Sequence, residues 1–296
     1  MSNIPVVQTL IGKNQIKFYL RCLKSLVSFC QDHIELQLHT DGSLSQEAKD
    51  FIHCELDGRM VTIIDSSENK NRVLDSLQGR PNCQKVRKDS IWGIEFFDPI
   101  FAFPEHPISF YLDADILFLR PFSGLFDREQ VKNGAVFLKD TQWDAYSFRP
   151  CQMIAGKSKP QVVKGITTGL VFWDKSAIDW DYLEWFLGED RLHQIPEWIM
   201  PTAQAGLAHR CDAKTISPRH ITNLYPNAQI HEDTFGVHLL GSYRKEWLKK
   251  LESIENNQTE HVPIMTPSFV RCVNQNIFGY SLRQMRRWKN TRLNLW

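Results

Sequence analysis

Apolar and polar positions alternate in two rhythms over the first third of the chain. Residues 6–11 are mostly apolar and stop at Gly12, as a buried strand would. Over residues 16–29, Phe18, Tyr19, Leu23, Leu26, Val27 and Phe29 recur at helical spacing with basic residues between them. Ile34, Leu36 and Leu38 then alternate with polar neighbours into Thr40-Asp41-Gly42, a strand followed by a turn in which Asp41 caps Gly42. Ser45 reads as the N-cap of a helix over residues 46–51, and residues 61–64 read as a third strand. Strand, helix, strand, helix, strand predicts a parallel sheet wound by crossovers.

Beyond this the pattern loosens. Residues 66–81 are polar and read as irregular or weakly helical, and residues 86–103 as an aromatic-rich amphipathic helix broken near Pro99. Residues 107–120 form an apolar run holding two acids, Asp113 and Asp115. Residues 134–138 and 164–174 are strand-like, and residues 151–163 read as a flexible loop. Residues 179–187 make a helix whose aromatics, Trp180, Tyr182, Trp185 and Phe186, are read as core packing. No internal repeat or low-complexity tract interrupts the chain.

A length of 296 residues allows a sizeable core and suits one large α/β domain with a short appendage. A net charge of +1 gives no overall pull toward nucleic acid or membrane. The seven cysteines, at 22, 30, 54, 83, 151, 211 and 272, are widely spaced with no Cys-x-x-Cys pair. They read as free thiols in a reducing compartment rather than zinc ligands. With no signal-like N-terminus and no apolar stretch of roughly 20 residues, a cytoplasmic location is expected.

The chemistry concentrates at Asp113 and Asp115. An Asp-x-Asp triplet in a loop usually holds two solvated acids. Here Phe110, Tyr111 and Leu112 precede it and Ile116, Leu117 and Phe118 follow, which suits a central strand buried on both faces. Two carboxylates are costly there unless a cation satisfies them. At i and i+2 of an extended segment both point one way, so one ion can meet both. Oxygen ligation favours Mg²⁺ or Mn²⁺, ions that commonly hold substrate phosphates. In open sheets such sites lie at the carboxyl ends of strands.

These residues resemble the metal-dependent, nucleotide-sugar glycosyltransferases of the GT-A fold, nearest to the branch holding bacterial lipopolysaccharide galactosyltransferases and glycogenin. The likeness rests on Tyr111-Leu112-Asp113-Ala114-Asp115-Ile116-Leu117, on Leu38-His39-Thr40-Asp41-Gly42, on Ile166-Thr167-Thr168-Gly169-Leu170, and on His238-Leu239-Leu240-Gly241 with Arg244, Lys245 and Trp247 beyond. It covers roughly residues 5–250 in the expected order. It implies a GT-A catalytic domain over residues 1–250, a mostly parallel twisted sheet flanked by helices, followed by a basic, aromatic-rich helical extension over residues 251–296.

The resemblance also implies roles. Asp113, Asp115 and His238 would ligate Mn²⁺ or Mg²⁺, although His238 alone would pass for a structural histidine. Lys245 would contact the donor diphosphate, with Gly241 admitting close backbone approach. Gln8, Thr9 and Gly12 would lie against the nucleobase, Lys85 or Lys88 would reach the nucleotide, and Thr168 and Gly169 would border the sugar. Glu197 and Gln204 are the best local match to an acidic-Gln pair with a catalytic role. Thr167 stands where the family has Asn, and Arg244 where its Lys falls. Asp140 and Asp144 flank Trp143 in a loop and are read as solvated.

The activity implied is transfer of a sugar from a nucleotide-sugar donor, with UDP expected as the nucleotide, to a glycan or glycolipid acceptor. A metal-dependent nucleotidyltransferase or phosphohydrolase using the same acids is the alternative, as is an inactive relative that binds nucleotide or glycan. The tail from Phe269 to Trp296 has no acid and carries Arg271, Arg283, Arg286, Arg287, Lys289 and Arg292 among Phe278, Tyr280, Leu282, Met285, Trp288 and Trp296. Such a segment either packs on the catalytic domain or lies on an anionic membrane surface.

Overall fold

The computed structural model describes residues 4–56, 61–155, 159–255 and 263–293; Trp296 lies outside them. Its first half follows the predicted rhythm. Strands β1 (Val6–Ile11), β2 (Glu35–Thr40) and β3 (Val61–Asp65) run parallel, joined by helices α1 (Ile16–Phe29) and α2 (Gln46–Glu55). Ser45 caps α2 by accepting from the Ala48 amide. Asp41 Oδ1 accepts from the Ser43 amide at 3.0 Å across Gly42, whose φ of +84° suits glycine.

Residues 66–81 are more regular than their polarity suggests. Helix α3 (Ser66–Ser76) starts at Asp65, which accepts from the Ser67 amide at 3.1 Å, and buries Val73 on its single apolar face. The expected helix over 86–103 is two, α4 (Pro81–Asp89) and α5 (Ile91–Ala102), parted at Ser90. The two cross so closely that a Cβ at Gly93 would sit 2.3 Å from the Val86 carbonyl oxygen. Pro99 lies inside α5 rather than ending it, so the Glu95 carbonyl lacks its helical donor. Arg87 of α4 and Asp98 of α5 form a buried ion pair whose remaining bonds reach Ser66 and Asn69.

The apolar run at 107–120 is two strands in two sheets. Strand β4 (Ile108–Leu112) lies parallel to β1, and β5 (Ile116–Phe118) opens a second sheet. The acids occupy the turn between them, closed by the Ile116 amide on the Asp113 carbonyl at 3.2 Å. One continuous central strand would have buried both carboxylates within the sheet; the turn brings them to its edge instead.

Helix α6 (Arg128–Val131) leads to β6 (Gly134–Lys139). Next come β7 (Ile166–Asp174), α7 (Trp180–Gly188), α8 (Ile199–His209) and β8 (Asp212–Ile216). The expected loop over 151–163 begins with a 3₁₀ turn at Pro150–Met153. Strands β9 (Ile221–Asn223) and β10 (Gly236–His238), helix α9 (Arg244–Glu255), strand β11 (Phe269–Arg271) and helix α10 (Ile277–Leu293) complete the described chain. The main sheet runs β11-β8-β6-β7-β4-β1-β2-β3, and the small one β5-β10-β9. Four of the main sheet's pairings are parallel; β7 opposes both β4 and β6, and β11 opposes β8. Phe110 packs edge-on against Phe172 at 5.0 Å, and Phe118, Phe122 and Phe235 stack beneath the small sheet.

Residues 263–293 do not stand apart from the rest of the fold. Strand β11 extends the main sheet, and Tyr280 of α10 is buried with its hydroxyl on the Phe148 carbonyl at 2.5 Å. The same segment corrects the reading of Asp140 and Asp144 as solvated, since both are buried. Asp140 accepts from the Tyr225 hydroxyl and the Gln142 and Trp143 amides, each at 2.8 Å. Asp144 accepts from the Gly165 amide, Gln275 and Arg283.

Candidate metal centre and donor site

Three elements bring Asp113, Asp115 and His238 together. Asp113 follows β4, and its amide extends the ladder to the Gly169 carbonyl at 2.8 Å. Asp115 precedes β5, where its carbonyl receives the Leu239 amide at 3.0 Å. His238 ends β10, in register with Ile116. One potential ligand atom from each residue lies within 4.8 Å of the others. His238 Nε2 is 3.1 Å from Asp115 Oδ1 and 3.7 Å from Asp113 Oδ2.

The surroundings orient these groups. His238 Nδ1 meets the Asn223 side-chain oxygen at 2.8 Å, which places a ring hydrogen on Nδ1 and turns Nε2 toward the carboxylates. Gly169 lies flat against the ring; a Cβ there would be 2.6 Å from His238 Cε1. That closeness follows from a break in the β6–β7 ladder, where Thr168, Gly169 and Leu170 oppose a single step of β6. Asp113 Oδ1 accepts from the Tyr111 hydroxyl at 3.0 Å. Asp115 Oδ1 is buried without a hydrogen-bond partner, so a lone pair is left facing the centre. Two carboxylates and an imidazole at this spacing fit a divalent cation.

Arg244, at the start of α9, is the cation of the site. Its Nη2 lies 2.5 Å from Asp115 Oδ2, Nη1 donates to Gln15 Oε1 at 2.5 Å, and Nε donates to the Leu239 carbonyl at 3.2 Å. Its guanidinium sits 4.4 Å over the Phe18 ring. Lys245, expected to meet the diphosphate, points out to solvent instead.

Burial and the neighbouring Asp115 push the Asp113 carboxyl up to about 7. Burial would raise Asp115 as well, but His238 and Arg244 outweigh it and hold that group below the usual carboxylate range. Burial works against charging His238, yet Asp115 and Asp113 hold it above its ordinary value. A proton on Asp113 is retained in the folded chain well above the unfolded value of 3.8, so this group's contribution to stability is lost as pH rises from about 4 to 7. The contribution of His238 is full below 6.5 and is lost as pH passes its raised value. An entering cation displaces both protons. The rise in thermal midpoint produced by a fixed concentration of Mg²⁺ is therefore expected to grow between about pH 6 and pH 8; scanning calorimetry showing a constant rise would refute this.

The remaining expected site residues scatter. Gln8 is buried in the sheet, with Nε2 on the Pro99 carbonyl at 3.0 Å and Oε1 against His39 at 3.0 Å, so its side chain does not reach a nucleobase. The Thr9 hydroxyl is buried and unpartnered. Gly12 lies against Asp41, so close that a Cβ on it would sit 2.7 Å from Asp41 Oδ2. Lys85 and Lys88 are exposed on α4, and Gly241 is exposed with open space around it. Thr168 is half-buried beside Gly169. Glu197 is exposed in a 3₁₀ turn before α8, where it acts on Arg287. Gln204 is buried in α8, accepts from Trp173 Nε1 at 3.4 Å, and lines a small cavity with Tyr111 and Glu95.

Sequence reasoning gave no role to Asn223 or Glu95. Glu95 did carry a signal, as an acid inside the apolar run of α5. Burial, then Asp113 and Asp115, push its carboxyl well above the usual range, and the Thr168 hydroxyl pulls it back.

No protein-family model matches the sequence, and no curated protein sequence matches it. Solved structures do match. The galactosyltransferase LgtC, solved with donor and acceptor sugar analogs, aligns over 86% of this chain and 97% of its own, with a TM-score of 0.53 and 13% identity. Mouse xyloside xylosyltransferase 1, in its apo form, aligns over 88% of this chain and 96% of its own, with a TM-score of 0.50 and 13% identity. The fold is GT-A. The expected architecture therefore holds, and the Asp113–Asp115 turn sits at the carboxyl end of a central GT-A strand. No described helix is long and apolar enough to cross a membrane.

Proposed function

We infer that this chain transfers a sugar from a nucleotide-sugar donor, a UDP-sugar in the first instance, to a hydroxyl of a glycan or glycolipid. The observation that carries the reading is the convergence of Asp113, Asp115 and His238 at the end of β4. These residues would hold Mn²⁺ or Mg²⁺, which when bound supplies Lewis-acid stabilisation of the departing diphosphate. Arg244, already at the centre, adds charge-assisted hydrogen bonds to the same oxygens. Thr168 and Gly169 border the sugar, and Gln204, buried beside Trp173, is the candidate for a role at the reacting carbon. Exposed Glu197 is left to the acceptor side.

Thermal unfolding with UDP, GDP, CDP and ADP, each with and without Mn²⁺, tests the donor. A ligand at about 100 times its dissociation constant stabilises by roughly 2.7 kcal/mol, a shift of about 4 °C or more in a domain of this size. A Mn²⁺-dependent shift with UDP is expected. No shift with any of the four would sink the reading.

Helix α10 favours an acceptor at an anionic membrane face. Phe278, Leu282, Met285 and Trp288 are exposed along one side of this helix while Tyr280 anchors the other. Arg286 and Lys289 are exposed beside the stripe, and no acid lies between Phe269 and Leu293. Co-sedimentation with vesicles containing phosphatidylserine is expected for the native chain and not for the double variant F278S/W288S; equal partitioning of the two would remove the membrane from this account.

A further inference from the structure

Helix α10 borders a cavity that the reading above does not use. It holds about 340 Å³ and lies between the loop after β6, the turn before α8 and α10 itself. Trp198, Gln194, Gln284 and Arg149 line it, along with three buried aromatic rings. The topology sets this cavity on the same edge of the sheet as the candidate metal centre. Strand β7 opposes both β4 and β6, so those two run the same way, and β8 is parallel to β6. The turn of Asp113 and Asp115 leaves the end of β4, and residues 140–150 leave the end of β6. Helix α8 returns into β8 through a short turn, so its start, at Trp198, lies where β8 finishes. Contacts bridge the interval. Asn223, which holds His238, is followed by Leu224 and then Tyr225, whose ring centre is 6.4 Å from that of Trp143. The Arg287 guanidinium of α10 is clamped between Trp143, at 4.9 Å, and Trp198, at 3.9 Å.

The lining has the chemistry of a sugar subsite. Small-ligand pockets of this volume combine aromatic walls with a few placed polar groups. Trp198 is half-buried, and Arg287 on one side of its ring fixes the plane of the indole. A pyranose has apolar C–H faces that pack on such a ring and hydroxyls around its rim. Gln194 spends an amide N–H on the Arg191 carbonyl at 3.0 Å, and Gln284 one on the Asp144 carbonyl at 3.4 Å. Both keep their side-chain oxygens to accept from hydroxyls, and the exposed Arg149 offers donors to hydroxyl oxygens.

We propose that this cavity binds a sugar unit of the acceptor remote from the hydroxyl that is glycosylated, so that the acceptor is an oligosaccharide chain rather than a single sugar. The assignment rests on the transfer reading above and names the acceptor class for that same site. Trp198, Gln194, Gln284 and Arg149 position the acceptor and take no part in the chemical step. Binding energy from such a remote unit serves to orient the reacting hydroxyl at the metal centre.

The fluorescently labelled full chain, with Mn²⁺ and UDP, applied to an array of mono- to hexasaccharides tests this. Retention on oligosaccharides and not on the matching monosaccharides is expected. It should fall about 10-fold or more in W198A, as for truncation of a central aromatic anchor, and recover in W198F. Q194A, which changes an exposed side chain, should weaken retention too and reports on the cavity even if W198A fails to fold. A native chain that is retained on no oligosaccharide, or equally on monosaccharides, overturns the assignment. So does a folded W198A, or failing that Q194A, that is retained as the native chain is. In each of these cases a Mn²⁺-dependent thermal shift of the native chain with UDP leaves the donor reading standing. Absence of that shift removes the transfer reading and this assignment with it.

Discussion

Replacing Asp115 with alanine is expected to lower sugar transfer by about 10³-fold or more while leaving the fold intact. Asp115 joins three functions in one side chain. Its Oδ1 faces His238 Nε2 at 3.1 Å without an aligned hydrogen bond, its Oδ2 fixes Arg244 at 2.5 Å, and it shares the candidate cation with Asp113. Lewis-acid stabilisation of a leaving diphosphate is worth several kcal/mol, and each 1.36 kcal/mol is tenfold in rate. The metal-free variant should melt lower than the native chain, because the change leaves Arg244 and His238 without the carboxylate that they hold ionised. Asp115 is also, after burial, the main cause of the raised Asp113 carboxyl, so relief of that like-charge pair offsets part of the loss. Initial rates at saturating Mn²⁺, with melting curves in Mn²⁺ and in chelator, check both halves. A variant that keeps its Mn²⁺-dependent shift and its rate would detach these acids from catalysis.

Much of this site was legible because an acid inside an apolar run is costly. Asp113 and Asp115 stood out for that reason, and the structure gives them a turn and a cluster rather than the continuous strand expected. The same signal was present in α5, where Asp98 proves to be half of the ion pair with Arg87 and Glu95 to line a small cavity with Tyr111. Nothing local separates those two outcomes. Which acid meets a cation depends on how α4 and α5 cross, and that crossing is set by Gly93 lying against Val86. Strands β1 to β3 and helices α1 and α2 could be read because each has a clean period. Helix α3 could not, since its helical start depends on the Asp65 cap more than on apolar spacing. Asp140 and Asp144 looked solvated because their side-chain donors, Tyr225, Gln275 and Arg283, lie more than 80 residues away in sequence.

Replacing Arg244 with methionine is expected to lower kcat by about 10²–10³-fold, whereas Lys245→Met should change it by less than about 3-fold. A donor aimed at developing charge is worth about that much when removed. The two residues are adjacent at the start of α9, and a helix turns about 100° per residue, so only one of them can face Asp115. Geometry selects Arg244, which is held by Gln15, the Leu239 carbonyl and the Phe18 ring, while Lys245 is exposed. These contacts also predict that Arg244→Lys restores little. An ammonium lacks the planar fork that meets Asp115, Gln15 and a phosphate oxygen together, and it stacks poorly on Phe18. Arg244 is also one of the charges holding Asp115 in its ionised form, so its loss should weaken Mn²⁺ binding as well as slow the chemical step. Steady-state kcat and KM for the three variants, together with Mn²⁺ titrations, separate those effects. If Lys245→Met proves the slower enzyme, the diphosphate contact belongs to Lys245 and α9 must rotate when the donor binds.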